Sequence, residues 1–168
     1  MNKVISPDII RFVVLVLLQV LLLSNINFLG FVNPYLYVYF ILLLPFTMSQ
    51  WRVLLYSFLI GIAIDFFQDS GGVNAAACLM AAYFRPNILK FAFGVSYEFQ
   101  TIKFYQTPIT QRLTYIALII FIHHFILFSL AYFNFIYFVE ILKDTLFSSI
   151  FTIILVLILM VLFRKNRK

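Results

Sequence analysis

Residues 61–86 read GIAIDFFQDSGGVNAAACLMAAYFRP, and this stretch decides the fold. It begins as an apolar helix, meets Asp65 and Asp69, breaks at two glycines, restarts in alanines and is expected to stop at Arg85 and Pro86. An acidic side chain at the centre of a membrane helix costs at least about 2.5 kcal/mol. Each of the two acids therefore marks a candidate functional site.

Composition predicts an integral membrane protein. Of the 168 residues, 64% are hydrophobic and 11% charged, with a mean hydropathy of +1.06, whereas soluble domains carry about 25% charged residues. Residues 1–168 are expected to form a single polytopic membrane domain, because apolar runs and short connections fill almost the whole length. The net charge of +6 comes from basic residues scattered between these runs, which favours membrane orientation over nucleic-acid binding.

Six transmembrane helices are predicted, since the core of a bilayer is about 30 Å thick and each helical residue adds about 1.5 Å. Their expected ranges are about 9–28, 34–48, 53–67, 73–84 or 73–93, 113–133 and 146–163. The third and fourth are short; two thin spans are favoured, and a re-entrant hairpin stays open. Tyr35, Tyr37 and Tyr39 are expected to form an interfacial belt. Asp69, Ser70 or Asn74 is expected to cap the fourth helix.

The basic residues predict that both termini are cytoplasmic. With six spans, eleven of the twelve Lys and Arg residues fall on the side of the termini, and Lys143 alone falls on the other. This asymmetry follows the positive-inside rule. The opposite side collects four acids, namely Asp65, Asp69, Glu140 and Asp144.

Gly61, Asp65 and Asp69 follow one another at four-residue steps, which places them on one helical face. Two carboxylates so close repel in a low dielectric, so at least one is expected to reach water, carry a proton or pair. Two interpretations stay open. Either both acids are exposed to water near the outer surface and Asp69 caps the fourth helix, or Asp65 makes a buried contact with a partner. Gly72 belongs to the break that follows.

Alanines give the fourth helix a smooth side. They are Ala75, Ala76, Ala77, Ala81 and Ala82. Small side chains let another backbone approach closely, as in the small-xxx-small interfaces of membrane helices. Ala77 and Ala81 are therefore candidates for helix packing or partner contact, and Gly61 can supply the complementary surface.

His123 and His124 lie at the centre of the fifth helix. Imidazoles bind metals and carry protons, but adjacent helical side chains point in different directions, so the pair is poorly arranged to ligate one ion. Interhelical hydrogen bonding is the favoured role, with a proton path or a metal site as alternatives. Gln19 is expected to play the same structural part in the first helix. Hydrolase elbows and phosphate-binding glycine loops are absent from the sequence.

Three motifs carry a family resemblance. They are Gly61-x-x-x-Asp65, then Gly72-Val73-Asn74-Ala75-Ala76-Ala77, and Ala81-Ala82-Tyr83-Phe84-Arg85-Pro86. With His123-His124 and the basic tail, the chain resembles the rod shape-determining MreD family, in the form typical of Bacteroidetes-like bacteria. The resemblance covers essentially the full chain in length, segment count and order.

The resemblance implies a non-enzymatic component of the bacterial inner membrane, without a cofactor, in the complex that guides lateral peptidoglycan synthesis and rod shape. Its expected partners are MreC, the actin-like MreB filament, RodA and a class B penicillin-binding protein. The family's fold is similar to the substrate-binding subunits of energy-coupling-factor vitamin transporters. A small transporter or such a subunit, with a site drawing on Gln19, Asp65 and His123, is the alternative function. A metalloenzyme built on His123, His124 and Asp65 is a third hypothesis.

Overall fold

The computed structural model describes residues 7–24, 26, 33–94 and 107–162. Within these ranges 85% of the residues are helical and no strand occurs. The main helices are α1 (Pro7–Leu18), α2 (Tyr39–Leu43), α3 (Gln50–Gln68), α4 (Val73–Phe93), α5 (Ile109–Tyr132) and α6 (Phe138–Leu162). A π-helical turn at Gln19–Leu23 extends α1, and single 3-10 turns at Leu36–Val38 and Phe135–Tyr137 precede α2 and α6.

Three of the described helices, α3, α5 and α6, are long and apolar enough to cross a membrane. They have 19, 24 and 25 residues. The expectation of a helical membrane protein is confirmed at this level, whereas the six spans and the cytoplasmic termini stay predictions. At 21 residues, α4 measures about 31 Å and matches the longer of its two predicted ranges, whereas α3 extends beyond the predicted 53–67 at both ends.

The helix predicted over residues 34–48 is wrong in its bounds. Helical structure covers only 36–43, and Leu44 is extended with ψ 138°. The physical reason is Pro45, because the ring of a proline disfavours helical backbone at the preceding residue. Residues 36–42 are buried and Leu43 is partly buried, as expected for a segment that is apolar on all sides. The expected tyrosine belt is also wrong, since Tyr37 and Tyr39 lie in this buried segment.

Of the two ends predicted for the fourth helix, the longer one is confirmed and the stop at Arg85 and Pro86 is wrong, because α4 runs through both residues to Phe93. Proline has no N–H to bond the carbonyl four residues earlier and normally disrupts a helix. Here the Ala82 carbonyl accepts a hydrogen bond from Gln50 Nε2 at 2.9 Å. A side chain on α3 therefore satisfies the carbonyl that Pro86 leaves without its helical donor.

The longer helices surround the short one. The α3–α4, α4–α5 and α5–α6 pairs pack against each other in chain order, and α2 contacts α1 and α3. The 3-10 turn before α2 also contacts α6. This arrangement places the unwound ends of the 36–43 segment inside the protein, where their backbone polar groups need protein partners.

Candidate functional site

Asp65 caps the first turn of α4 from the neighbouring helix. Its Oδ1 accepts a hydrogen bond from the Asn74 amide at 2.9 Å, and its Oδ2 accepts one from the Ala75 amide at 2.8 Å. Amides in the first turn of a helix have no partner within the helix. Val73, the residue before them, donates to the Ser70 carbonyl. The positive end of the helix dipole thus faces a carboxylate that is 5% exposed.

Two side chains complete the surroundings of the Asp65 carboxylate. Ser70 Oγ donates to Asp65 Oδ1 at 2.6 Å, and Asn74 Nδ2 donates to the same oxygen at 3.0 Å. The carboxylate therefore accepts four hydrogen bonds. Asp65 is buried against the chain's own α4, so the expectation that both acids are exposed to water is wrong for Asp65. Asp69 is exposed and ends α3 with φ 51°, and α4 is capped by Asp65 instead of Asp69.

Gly61 brings the two helices close enough for this cap. A Cβ on Gly61 would lie 2.5 Å from Ala75 Cα and 2.8 Å from the Asn74 carbonyl oxygen. Side chains do not reach such distances without moving the backbone. Because Asp65 follows Gly61 by one helical turn, the contact at Gly61 sets the position from which the carboxylate reaches α4.

Replacing Gly61 by alanine is expected to destabilise the protein by about 2–3 kcal/mol, because the new methyl group overlaps backbone atoms of α4. The free energy of unfolding in detergent, measured by denaturant titration, checks this. Ala63→Gly is the matched control on the same helix, where the side chain is partly exposed; it should cost about 1 kcal/mol or less. Equal effects of the two changes would contradict the close contact.

A chain of hydrogen bonds leads from Asp65 into the core. The Tyr37 hydroxyl donates to Asn74 Oδ1 at 2.5 Å and lies 3.1 Å from His123 Nε2. Asn74 Nδ2 faces Asp65 and Ser70, so Asn74 Oδ1 is its acceptor towards Tyr37. The hydroxyl proton then points to Asn74, which assigns the His123 tautomer with hydrogen on Nε2. Every donor in this chain points toward Asp65.

His124 belongs to a second set of hydrogen bonds, and it is the tautomer with hydrogen on Nδ1. Its Nδ1 lies 2.7 Å from the Ile120 carbonyl and donates to it, while its Nε2 accepts from Thr152 Oγ1 at 3.2 Å. Thr152 Oγ1 in turn accepts the Tyr35 amide at 3.2 Å. The predicted interhelical hydrogen bonding by the two histidines is confirmed: His123 bonds Tyr37 and His124 bonds α6.

The backbone on the N-terminal side of α2 is held by Gln19. Its Nε2 donates to the Pro34 carbonyl at 2.9 Å, and its Oε1 accepts the Leu36 amide at 2.7 Å. These backbone groups lie outside α-helices and inside the protein. An amide or carbonyl that has neither water nor a protein partner there costs several kcal/mol. The structural role predicted for Gln19 is confirmed.

Arg85 holds the C-terminal side of α2. Its Nη2 donates to the carbonyls of Leu44 and Pro45, and its Nε donates to Tyr115 Oη at 2.9 Å. The guanidinium also lies 5.6 Å from the centre of the Phe46 ring, within cation–π range. Arg85 is 2% exposed. It therefore lies inside the fold and not at an exposed helix end.

The chain matches no protein family, no curated protein and no solved structure. Within the described ranges, no group of three His, Cys, Asp or Glu residues is placed to hold a metal ion. Asp65 and His123 are joined only through Tyr37 and Asn74. Evidence on function therefore comes from the contacts that these side chains make.

The structure brings most of the predicted site residues inside the molecule. Gly61, Asp65, Ala77, Ala81, Arg85, His123 and His124 are buried, Gly72 and Pro86 are partly buried, and Asp69 is exposed. Ala77 packs with Leu127, Phe128 and Ile141. The alanine side thus contacts the chain's own helices, and in this structure it is not a free surface for a partner.

Sequence reasoning missed four members of the network. They are Tyr37, Asn74, Tyr115 and Thr152. Each is a polar side chain in a predicted apolar segment. The same feature marked Asp65 as a candidate site, and it could have identified these four residues. Asn74 was considered only as a possible cap, although it lies between Asp65 and Tyr37.

Proposed function

We propose that the chain is a non-enzymatic scaffold of the MreD kind, located in the bacterial inner membrane and acting in the complex that guides lateral peptidoglycan synthesis. The observation that supports a scaffold is that the buried polar side chains bind the chain's own backbone and one another. Asp65, Gln19 and Arg85 each satisfy backbone groups of another segment. A fold held in this way offers fixed surfaces to partners.

The proposed main partner is MreC, with MreB, RodA and a class B penicillin-binding protein in the same complex. The motif residues Gly61 and Asp65, which carry the family resemblance, join α3 to α4 in this structure. The partner contact is therefore proposed at the turn 69–72, where Asp69 and Gly71 are exposed. This moves the proposed interface from the alanine side to the end of the hairpin.

Crosslinked co-purification from native membranes tests the scaffold proposal, combined with depletion of the protein and imaging of cell shape. We expect depletion to give rounded cells and the wild-type protein to recover MreC. Asp69→Asn removes the charge and tolerates the left-handed backbone, and it is expected to lower MreC recovery with normal protein levels. Glu140→Gln, at another exposed acid, is the control. Normal shape after depletion with no MreC recovered would contradict the proposal.

A substrate-binding subunit of a vitamin transporter is a second candidate, and one feature favours it. Substrate sites in transporters are often formed where helices are broken, and 36–43 is a short helix between unwound segments. A cavity of about 400 Å³ adjoins its N-terminal side and is lined by Gln19, Val20, Ser24, Asn33, Tyr35, Phe67 and Gln68. Three of these side chains end in an amide.

Mass spectrometry of the purified protein separates the two candidates. A transporter subunit should retain a small polar solute in near-stoichiometric amount, and Gln68→Leu should release it. Among the described residues, Gln68 Nε2 bonds Ser24 Oγ at 2.7 Å and no buried backbone group, so this change should leave the fold intact. A scaffold should retain no such solute under the same conditions.

A further inference from the structure

The short α2 leaves a groove between α1, α2 and α6. After Leu43 the backbone turns away at Leu44 and Pro45, and Phe46 packs against Phe93 and Tyr115 on α4 and α5, with ring centres 5.2 and 5.7 Å apart. Because α2 ends at Leu43, it does not continue alongside the N-terminal half of α1. The space that remains is a cavity of about 400 Å³ between α1, α2 and α6.

The walls of this groove are apolar along its length. They include Val14, Leu15 and Leu18 of α1, Tyr39 and Leu43 of α2, and Leu159 of α6. The α1 residues recur on one helical stripe, so the groove runs along α1 and not across it. A groove of this direction and chemistry fits an extended hydrocarbon chain lying parallel to the helices.

One basic side chain, Arg11, lines the groove toward the N-terminal end of α1. Its side chain is 47% exposed and its Nη1 donates to Asp8 Oδ1 at 3.1 Å. A guanidinium has five N–H donors in a planar fork, which suits phosphate oxygens. The exposed Arg11–Asp8 pair is weak, so a phosphate beside the groove can compete for the guanidinium.

We propose that this groove binds one anionic phospholipid, with an acyl chain against Val14, Leu18 and Leu159 and the headgroup phosphate on Arg11. Arg11 supplies charge complementarity to the phosphate at one end of a groove that is otherwise apolar. A zwitterionic lipid offers the same acyl chain but carries a cation beside its phosphate, so Arg11 discriminates against it. Asp8 opposes the bound phosphate by like-charge repulsion. This lipid site is independent of the partner contact proposed at 69–72.

Native mass spectrometry of the detergent-purified protein tests the site, with dioleoyl phosphatidylglycerol and dioleoyl phosphatidylcholine titrated separately. We expect phosphatidylglycerol to bind about tenfold more tightly, the size of one charge-assisted hydrogen bond. Arg11→Gln should remove this preference. Arg52→Gln, at an exposed arginine bonded to Ser49 and outside the groove, should keep it. Asp8→Asn should strengthen phosphatidylglycerol binding.

The groove itself is tested by filling it. Leu159→Trp should weaken the binding of both lipids about tenfold, whereas Ile158→Trp, at the adjacent lipid-exposed position, should leave both unchanged. Thermal unfolding of each variant shows that the fold is retained. Equal binding of the two lipids by the wild type, equal effects of the two arginine changes, or undiminished binding by Leu159→Trp would each overturn the proposal.

Discussion

Asp65→Ala is expected to lower the free energy of unfolding by about 3–5 kcal/mol, because it leaves buried donors without an acceptor. The amides of Asn74 and Ala75 lose their partners at the start of α4, and Ser70 Oγ and Asn74 Nδ2 lose theirs. Such a loss is a large fraction of the stability of an ordinary domain. Denaturant titration in detergent, followed by circular dichroism, measures it.

Two further variants separate the cap from a general effect of charge. Asp65→Asn keeps one oxygen but replaces the other by an NH₂ group that faces a donor, so we expect it to lose about half as much stability as Asp65→Ala. Asp69→Asn changes the neighbouring exposed acid and should alter stability by less than about 0.5 kcal/mol. If Asp65→Ala and Asp69→Asn had the same free energy of unfolding, the amides of α4 would have other partners and the cap would be refuted.

The part of this hairpin that sequence could predict was the existence of its helices and the importance of its polar residues. The apolar runs around Gly61 and the alanines were sufficient for that. The capping of α4 by Asp65 could not be predicted from the sequence. Capping rules place the acceptor at the residue before the helix, and here that residue is Gly72, which has no side chain. The acceptor comes instead from Asp65, nine residues before Asn74, on a neighbouring helix.

The second segment shows why the rest was not predictable. A length criterion read residues 34–48 as one span, and it gives no weight to the restriction that Pro45 places on Leu44. Once the helix ends there, the buried Leu44 carbonyl needs a donor inside the protein, whereas the Pro45 carbonyl also accepts the Met48 amide at 3.2 Å. Arg85 donates to both carbonyls, yet the charge rule treats it only as a cytoplasmic charge. That long-range pairing leaves no periodic signal in the sequence.

Replacing Arg85 by methionine is expected to destabilise the protein by about 2–4 kcal/mol, because it leaves buried acceptors without the donor that Arg85 supplies. Methionine fills much of the same volume but donates no hydrogen bond, so the Leu44 and Pro45 carbonyls and the Tyr115 hydroxyl lose a donor. Arg85→Lys should recover only part of the loss, because an ammonium lacks the planar fork that serves two directions. Denaturant titration in detergent measures the free energy of unfolding of the wild type, Arg85→Met and Arg85→Lys.

The matched control for Arg85 is Arg52→Met, because Arg52 is exposed and bonds only the Ser49 hydroxyl among the described residues, at 2.8 Å. Its loss should change stability by less than about 0.5 kcal/mol. A double-mutant cycle of Arg85→Met with Tyr115→Phe then isolates one arm of the contact, and we expect a coupling energy of about 1–2 kcal/mol. Zero coupling, or equal stability of the two arginine variants, would mean that Arg85 does not hold the end of the broken helix.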